Sequence, residues 1–215
     1  MTLGGSIRRR GTRAAVGAVV SAIVLSAGAM PAAARIKVTV PPGSGLALVN
    51  DYLAVNGGYG RPADTGRTIR HHGIDFAARP GTPVISASFG EIAWMQANRC
   101  SGYDIVIKTT IRVPQGNRGR RAPIYAIYSH AKPLANLSVG DRVRPGDELG
   151  RVIPLLGTPC YASKPHVHFE LRVDNRRALH TNPHRFWADG PGAVTCFRAG
   201  REVPADKIVA PLRCN

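Results

Sequence analysis

One stretch near the C-terminal third constrains the fold and the chemistry of this chain more than any other. Residues 164–172 read KPHVHFELR, in which polar and apolar side chains alternate after a proline. Side chains two positions apart in a β-strand share a face, so His166 and His168 lie together while Val167 and Phe169 face a core. Neutral imidazole is the commonest nitrogen ligand for zinc. The strand therefore predicts part of a metal site, and the remaining ligands must come from elsewhere in the chain.

The composition and the sequence pattern of the rest of the chain are typical of a β protein. Its 24 glycines and 17 prolines favour loops and turns, and its 44% hydrophobic content is that of a globular protein. From His71 onward, short alternating segments are separated by turn residues, which predicts an antiparallel sheet. One exception is residues 46–55, for which we expect a short helix.

The first 34 residues have the pattern of a targeting segment. Four arginines precede an uncharged apolar run over residues 14–30, and small residues at 31–34 offer a cleavage site. The residues after the arginine pair fit a twin-arginine signal poorly, which favours the general secretory route. We therefore expect a secreted or periplasmic protein. An uncleaved membrane anchor is the alternative, and the membrane is a partner only in that case.

The chain is strongly basic, with a net charge of +16. Removal of residues 1–34 leaves 25 basic and 13 acidic residues, a net charge of +12. Such a charge attracts polyanions, which for an exported protein include anionic wall polymers. Nucleic acid is not expected as a partner, because only 6% of residues are aromatic and no nucleic-acid-binding motif is visible.

The four cysteines predict disulfides. None stands in a Cys-x-x-Cys pair, and an even number in an exported protein favours two bridges. Three connectivities are possible. We expect Cys196–Cys214, which closes a C-terminal tail, and Cys100–Cys160, which ties two loops.

Two further segments can complete the metal site. His71 and Asp75 stand four residues apart around Gly73, and the strand-rich sequence that follows favours a tight turn at Gly73 over a helix. Such a turn brings His71 and Asp75 to one point. His130 ends another alternating segment, YAIYSH. Each segment alone is typical of an ordinary surface feature. Only the combination of the segments indicates a metal site.

Together these signals form an ordered pattern. The chain contains His-x-Gly-x-Asp, Tyr-x-His, Val-x-x-Gly-Asp-x-Leu-Gly and Pro-His-x-His-Phe-Glu, in that order. This pattern resembles the lysostaphin/LytM-type zinc metallopeptidases, which cut peptide bonds in bacterial peptidoglycan. The resemblance runs from about residue 70 to residue 187. It implies a mainly β fold: a twisted antiparallel sheet, a second smaller sheet, long active-site loops, and few or no helices.

The resemblance also implies roles for individual residues. One Zn²⁺ ion would be held by His71, Asp75 and His168. His166 and His130 match the two catalytic histidines that do not bind the metal. His72 falls on a variable position, and the sequence alone leaves it open as a ligand instead of His71.

These roles are chemically consistent. Two imidazoles and one carboxylate leave zinc a fourth position for water, as in catalytic sites. No His-Glu-x-x-His motif supplies a glutamate base, so we assign that role to His166, with His130 donating to the oxyanion or the leaving amine. The expected function is an exported zinc metalloendopeptidase that hydrolyses stem peptides or cross-bridges by attack of a zinc-bound water. The alternatives are a non-catalytic wall-binding regulator of another hydrolase and a polyanion-binding basic protein.

The expected organisation has four parts. Residues 1–34 are a signal peptide, 35–69 an N-terminal approach segment, 70–188 the metallopeptidase domain and 189–215 a disulfide-stapled extension. The approach segment is also a candidate inhibitory element, since Asn50, Asn56 or Asp64 can reach the zinc.

Overall fold

The computed structural model describes Met1 and residues 36–52, 71–98, 102–115, 119–154 and 164–215. Arg35–Asn215 forms one compact unit. Within the described ranges, no helix is both long and apolar enough to cross a membrane. The expected signal peptide lies, apart from Met1, outside the described residues.

A large antiparallel sheet forms the body of the described chain. Eight strands belong to it among the described residues: β1 (Leu48–Asn50), β2 (Gly73–Ala77), β4 (Gly90–Asn98), β5 (Gly102–Pro114), β6 (Arg121–Ser129), β8 (Arg142–Val143), β10 (His166–Val173) and β11 (His180–Thr181). Seven of these described strands follow the order β1-β2-β10-β6-β5-β4-β8, and β11 pairs with β10. The His-x-His strand, β10, therefore lies between β2 and β6.

A second sheet is smaller. Its described strands are β3 (Pro83–Ile85), β7 (Ala131–Pro133) and β9 (Glu148–Val152), in the order β3-β9-β7. Two short 3-10 helices, Arg177–Leu179 and Pro183–Arg185, follow β10, and the described residues contain no α-helix. The expected mainly β architecture with two antiparallel sheets is confirmed.

The hydrophobic core lies between the two sheets. Val167, Phe169 and Leu171 of β10 are fully buried and pack in one cluster with Val84 and Leu149 of the small sheet. The alternation in β10 thus places its apolar residues as predicted. The opposite face of the same strand carries His166, His168 and Glu170.

The predicted helix over residues 46–55 is wrong. Leu48–Asn50 is a strand, and Leu48 and Asn50 pair with Phe76 and Asp75 of β2. The edge of β2 offers unpaired backbone groups, and pairing with them outweighs a weak local helix preference. Residues 53–55 lie outside the described residues.

The C-terminal segment contributes to the core rather than only ending the chain. Ile208 and Ala210 are fully buried, and Leu212 bridges to Val84 of β3. Cys196 and Cys214 form a disulfide, which is the expected pairing. Cys100 and Cys160 lie outside the described residues.

Candidate metal centre

The sheet register lines up polar side chains from neighbouring strands. His168 of β10 is paired with Asp75 of β2 on one side and with Ser129 of β6 on the other. Asn50 of β1 is in turn paired with Asp75. Directly paired residues on one face of a sheet have neighbouring side chains. Four strands far apart in sequence therefore bring these polar residues to one part of the sheet.

His71, Asp75 and His168 form a compact group of possible metal ligands. Their donor atoms all lie within 4.8 Å of one another. His71 Nε2 lies 3.0 Å from His168 Nδ1 and 3.1 Å from Asp75 Oδ1, and His168 Nδ1 lies 2.8 Å from the same oxygen. The group is buried, with exposed fractions of 1%, 3% and 4%.

This donor set fits a zinc ion. Tetrahedral zinc with ligands at about 2.0–2.1 Å holds its donor atoms about 3.3 Å apart, close to the separations seen here. Two imidazole nitrogens and one carboxylate oxygen are also the ligand types that zinc takes in catalytic sites.

Asp75 is held as a carboxylate. Burial raises the pKa of this carboxyl group, but hydrogen bonds with His168 and His71 outweigh it and hold the pKa well below its usual value. His166 Nε2 lies 3.6 Å from Asp75 Oδ1 and favours the ionised form as well. The negative charge is therefore available to a cation.

A buried carboxylate lies behind His168. Glu170 Oε2 is 3.7 Å from His168 Nε2, on the side of the ring away from Asp75. Arg172 donates from Nε to Glu170 Oε1 at 2.8 Å and from Nη2 to Oε2 at 2.6 Å. Burial raises the pKa of Glu170, but the hydrogen bonds from Arg172 and His168 lower it to about 2. With a metal bound, this carboxylate would favour a proton on His168 Nε2, which would leave the lone pair of Nδ1 free to ligate the ion.

His166 and His130 lie next to this group. Their ring centroids are 4.7 Å apart with the planes at 73°. His166 Nδ1 lies 2.8 Å from the backbone oxygen of Lys164. A carbonyl oxygen only accepts, so Nδ1 carries the proton and the lone pair of neutral His166 is on Nε2, the atom nearer Asp75. His166 and His168 share a face as predicted, but at 7% and 4% exposure both are buried rather than open to solvent.

His130 occupies an unusual backbone position. Its φ of 66° lies in the left-handed region, which costs a non-glycine residue energy. Its N–H donates to Tyr103 O at 3.0 Å, and its carbonyl accepts from Ile153 N at 2.9 Å. These bonds stabilise the turn that places His130 at the end of β6 beside His166.

Gly73 is part of the strand, which corrects the expected turn. β2 begins at Gly73, so His71, Gly73 and Asp75 succeed one another at alternate positions. A Cβ at Gly73 would come within 2.8 Å of His168 Cε1 and overlap the carbonyl oxygen of Phe169. The glycine is needed because β10 and the His168 ring lie directly against it.

We expect Gly73→Ala to weaken both folding and metal binding. The added methyl group must displace β10 or the His168 imidazole, and overpacking of this kind costs about 1–3 kcal/mol. Urea unfolding of the metal-free chain measures the first effect and zinc titration the second. Unchanged stability together with unchanged zinc affinity would show that this contact is not tight.

His72 stands apart from the ligand group. Its ring stacks on His180 with centroids 3.9 Å apart and planes at 12°. Burial and the neighbouring His180 lower the pKa of His72. The cluster found among the described residues contains His71 and not His72.

The sequence did not predict the contacts that three residues make around the site. Asn50 Nδ2 donates to Asp75 Oδ2 at 2.8 Å, Asp51 O accepts from His71 Nδ1 at 3.0 Å, and His184 Nε2 contacts Asp51 Oδ1 at 2.6 Å. The sequence indicates Asn50 only as a candidate inhibitory group. His184 carries no motif that would have identified it. Asn56 and Asp64 lie outside the described residues, as does most of the loop before β10.

Comparison with known proteins agrees with this geometry. Residues 69–181, more than half of the chain, match the profile of Peptidase family M23. An uncharacterized protein of Mycobacterium tuberculosis is 28% identical over 149 residues, which cover 69% of this chain and 31% of that protein. The peptidoglycan DD-endopeptidase ShyB of Vibrio cholerae is 29% identical over 112 residues, 52% of this chain and 22% of that protein. The chain thus spans less than a third of the length of these curated relatives.

Among solved structures, the catalytic domain of the prophage-encoded M23 protein EnpA from Enterococcus faecalis is 28% identical. The aligned region covers 66% of this chain and 91% of the EnpA chain, with a TM-score of 0.46. The match to the family profile extends from just before His71 to the end of β11 and includes all five predicted site residues. The chain belongs to Peptidase family M23.

Proposed function

We propose that this chain is an exported zinc metalloendopeptidase that hydrolyses peptide bonds in the stem peptides or cross-bridges of peptidoglycan. The observation that carries the proposal is the convergence of His71 Nε2, Asp75 Oδ1 and His168 Nδ1, with separations of 2.8–3.1 Å, beside His166 and His130. Peptidoglycan is supported as the substrate by the relative from Vibrio cholerae, whose name describes a peptidoglycan endopeptidase.

The metal and the histidines divide the chemistry between them. A bound zinc ion would supply Lewis acidity, lowering the pKa of a bound water to roughly 7 and polarising the scissile carbonyl. His71, Asp75 and His168 would hold the ion. The remaining tasks are proton transfer and stabilisation of the charge that develops on the substrate.

His166 is suited to accept the proton. The Lys164 carbonyl fixes the proton on Nδ1, so Nε2 presents its lone pair toward the metal ligands. We assign it as the general base that takes the proton from the attacking water.

His130 is suited to serve as donor. Its imidazole lies edge-to-face with His166, and its backbone is held on both sides. We assign it to stabilise the developing oxyanion and to protonate the leaving amine. Two histidines thereby do the work that a glutamate does in His-Glu-x-x-His peptidases.

Two alternative functions predict different results. A non-catalytic regulator does not need all five positions, whereas here every one is filled and the residues lie together. A polyanion-binding protein would bind wall polymers in a manner that weakens with salt and survives chelation. The net charge of +12 that remains without residues 1–34 is compatible with wall attraction as an accessory property of the enzyme.

Hydrolysis and its metal dependence are tested together. The purified chain beginning at Arg35 should release soluble label from dye-labelled peptidoglycan, lose this activity with a chelator, and regain it when zinc is added. Binding to the wall without release, unchanged by the chelator, would contradict the proposal. Export is tested separately by N-terminal sequencing of the secreted protein, where a start at Met1 would rule out a cleaved signal.

A further inference from the structure

We propose that Asn50 and Asp51 are positioning residues of the metal centre, and that His184 and Trp187 hold Asp51 in place. This inference rests on the metal site of the proposed function. Residues 48–52 precede the part of the chain that matches the family profile, which begins at residue 69. The segment therefore adds a function that the family motifs do not assign.

Asn50 selects which oxygen of Asp75 faces the ligand histidines. β1 pairs with β2 so that Asn50 is the register partner of Asp75. The amide Nδ2 donates to Asp75 Oδ2 at 2.8 Å, while Oδ1 lies 2.8 Å from His168 Nδ1 and 3.1 Å from His71 Nε2. The carboxylate is thereby prevented from rotating, and one defined oxygen is offered to the metal.

Asp51 selects the tautomer of His71. Its backbone oxygen lies 3.0 Å from His71 Nδ1. Because a carbonyl oxygen only accepts, Nδ1 carries a proton, so that with a metal bound the lone pair of His71 would be on Nε2. Nε2 is the nitrogen that faces Asp75 and His168. Hydrogen bonds of this kind orient ligand imidazoles and raise their basicity.

A series of hydrogen bonds fixes the side chain of Asp51. The Trp187 indole N–H donates to His184 Nδ1 at 2.9 Å. Nδ1 is therefore an acceptor, so the proton of neutral His184 is on Nε2, which donates to Asp51 Oδ1 at 2.6 Å. Trp187 and His184 are 0% and 1% exposed, so this series of hydrogen bonds begins at residues buried in the core.

The backbone around His184 supports this arrangement. Asn182 caps the 3-10 helix Pro183–Arg185 by accepting from His184 N at 3.0 Å. Ile208 N donates to Phe186 O at 2.9 Å and joins this turn to the buried C-terminal segment. The C-terminal part of the chain thus positions a ligand histidine from the N-terminal part.

The first test is Asn50→Ala against the matched control Val49→Ala. Val49 is on the same strand with 39% of its surface exposed. Competition with a chromophoric chelator should show zinc binding about 10–100-fold weaker in Asn50→Ala and unchanged in Val49→Ala. In urea, the metal-free forms of both variants should unfold at similar concentrations. Equal zinc affinity in Asn50→Ala and the wild type would overturn the role of Asn50.

The second test separates positioning from general stability. His184→Leu removes the donor to Asp51, whereas His184→Gln keeps an amide that can donate to Asp51 and accept from Trp187. We expect weaker zinc binding and an altered cobalt(II) absorption spectrum in His184→Leu, with recovery in His184→Gln. In ¹⁵N-histidine NMR of the zinc-loaded protein, the His71 Nδ1–H that donates to Asp51 O should exchange faster with solvent in His184→Leu. An unchanged cobalt spectrum and an unchanged exchange rate in a folded His184→Leu would overturn the role of the Asp51 anchor.

These outcomes can be told apart from failure of the proposed function. A wild-type chain that binds zinc and does not cleave peptidoglycan would overturn the function and leave the positioning inference standing. A wild-type chain that binds no zinc would overturn both. Tight binding that is insensitive to Asn50 and His184 would overturn this inference alone.

Discussion

Replacement of His168 by alanine is expected to weaken zinc binding at least about a thousandfold and to abolish hydrolysis. The free energy of zinc binding at structural sites is about 10–16 kcal/mol in total. Divided among the ligands, it gives a contribution of about 4 kcal/mol from each one. His168 Nδ1 lies against both other donors, at 2.8 Å from Asp75 Oδ1 and 3.0 Å from His71 Nε2, so the alanine variant loses one of three converging donor atoms. Competition with a chelator measures the affinity, and metal analysis of the purified chain measures the stoichiometry.

His71→Ala and His72→Ala provide a matched pair for the same prediction. The two histidines are adjacent, but His71 lies in the ligand group and His72 stacks on His180. We expect loss of zinc from the first variant and retention in the second. A His168→Ala protein that keeps zinc and activity would contradict the ligand assignment, and zinc loss confined to His72→Ala would move the ligand to His72.

Replacement of His166 by alanine should leave zinc bound and lower kcat by about 10²–10⁴-fold, the usual contribution of a general base. His166 is beside the metal ligands, since its Nε2 is 3.6 Å from Asp75 Oδ1, and its other nitrogen is committed to the Lys164 carbonyl. Steady-state kinetics on a defined wall peptide, with the zinc content measured on the same sample, separates turnover from metal loss.

His130→Ala should behave in the same way, because His130 contacts His166 and is not a member of the group of three ligands. The double variant is expected to lose little more than either single variant if the two histidines act in one step. Near-normal kcat in a zinc-loaded His166→Ala protein would refute the general-base assignment. Loss of zinc from that variant would instead place His166 among the ligands.

The sequence was most informative where local pattern and tertiary structure agree. Alternation in residues 166–171 predicted both the strand and the division of its faces, because a strand between two others must bury one apolar face. His71, Asp75 and His130 were found through the order of their motifs. Spacing alone could not show that β2 and β6 are the neighbours of β10.

The errors came from interactions with distant parts of the chain. Residues 48–50 form a strand because the edge of β2 is available, and nothing in their own sequence indicates this. His184 contacts Asp51 across 133 residues, so no local pattern connects them. Gly73 suggested a turn, but its actual role is to leave room for His168, which only the packed structure reveals.

The proposed zinc site should hydrolyse peptide bonds in peptidoglycan. Mass spectrometry can detect this hydrolysis in muropeptides after digestion of purified peptidoglycan in ¹⁸O-labelled water by the zinc-loaded chain beginning at Arg35. We expect fragments with one new amine and one new carboxyl group that carries ¹⁸O, absent from digests with chelator or with His166→Ala. Intact peptides, or cleavage that persists in the metal-free chain, would contradict the proposal.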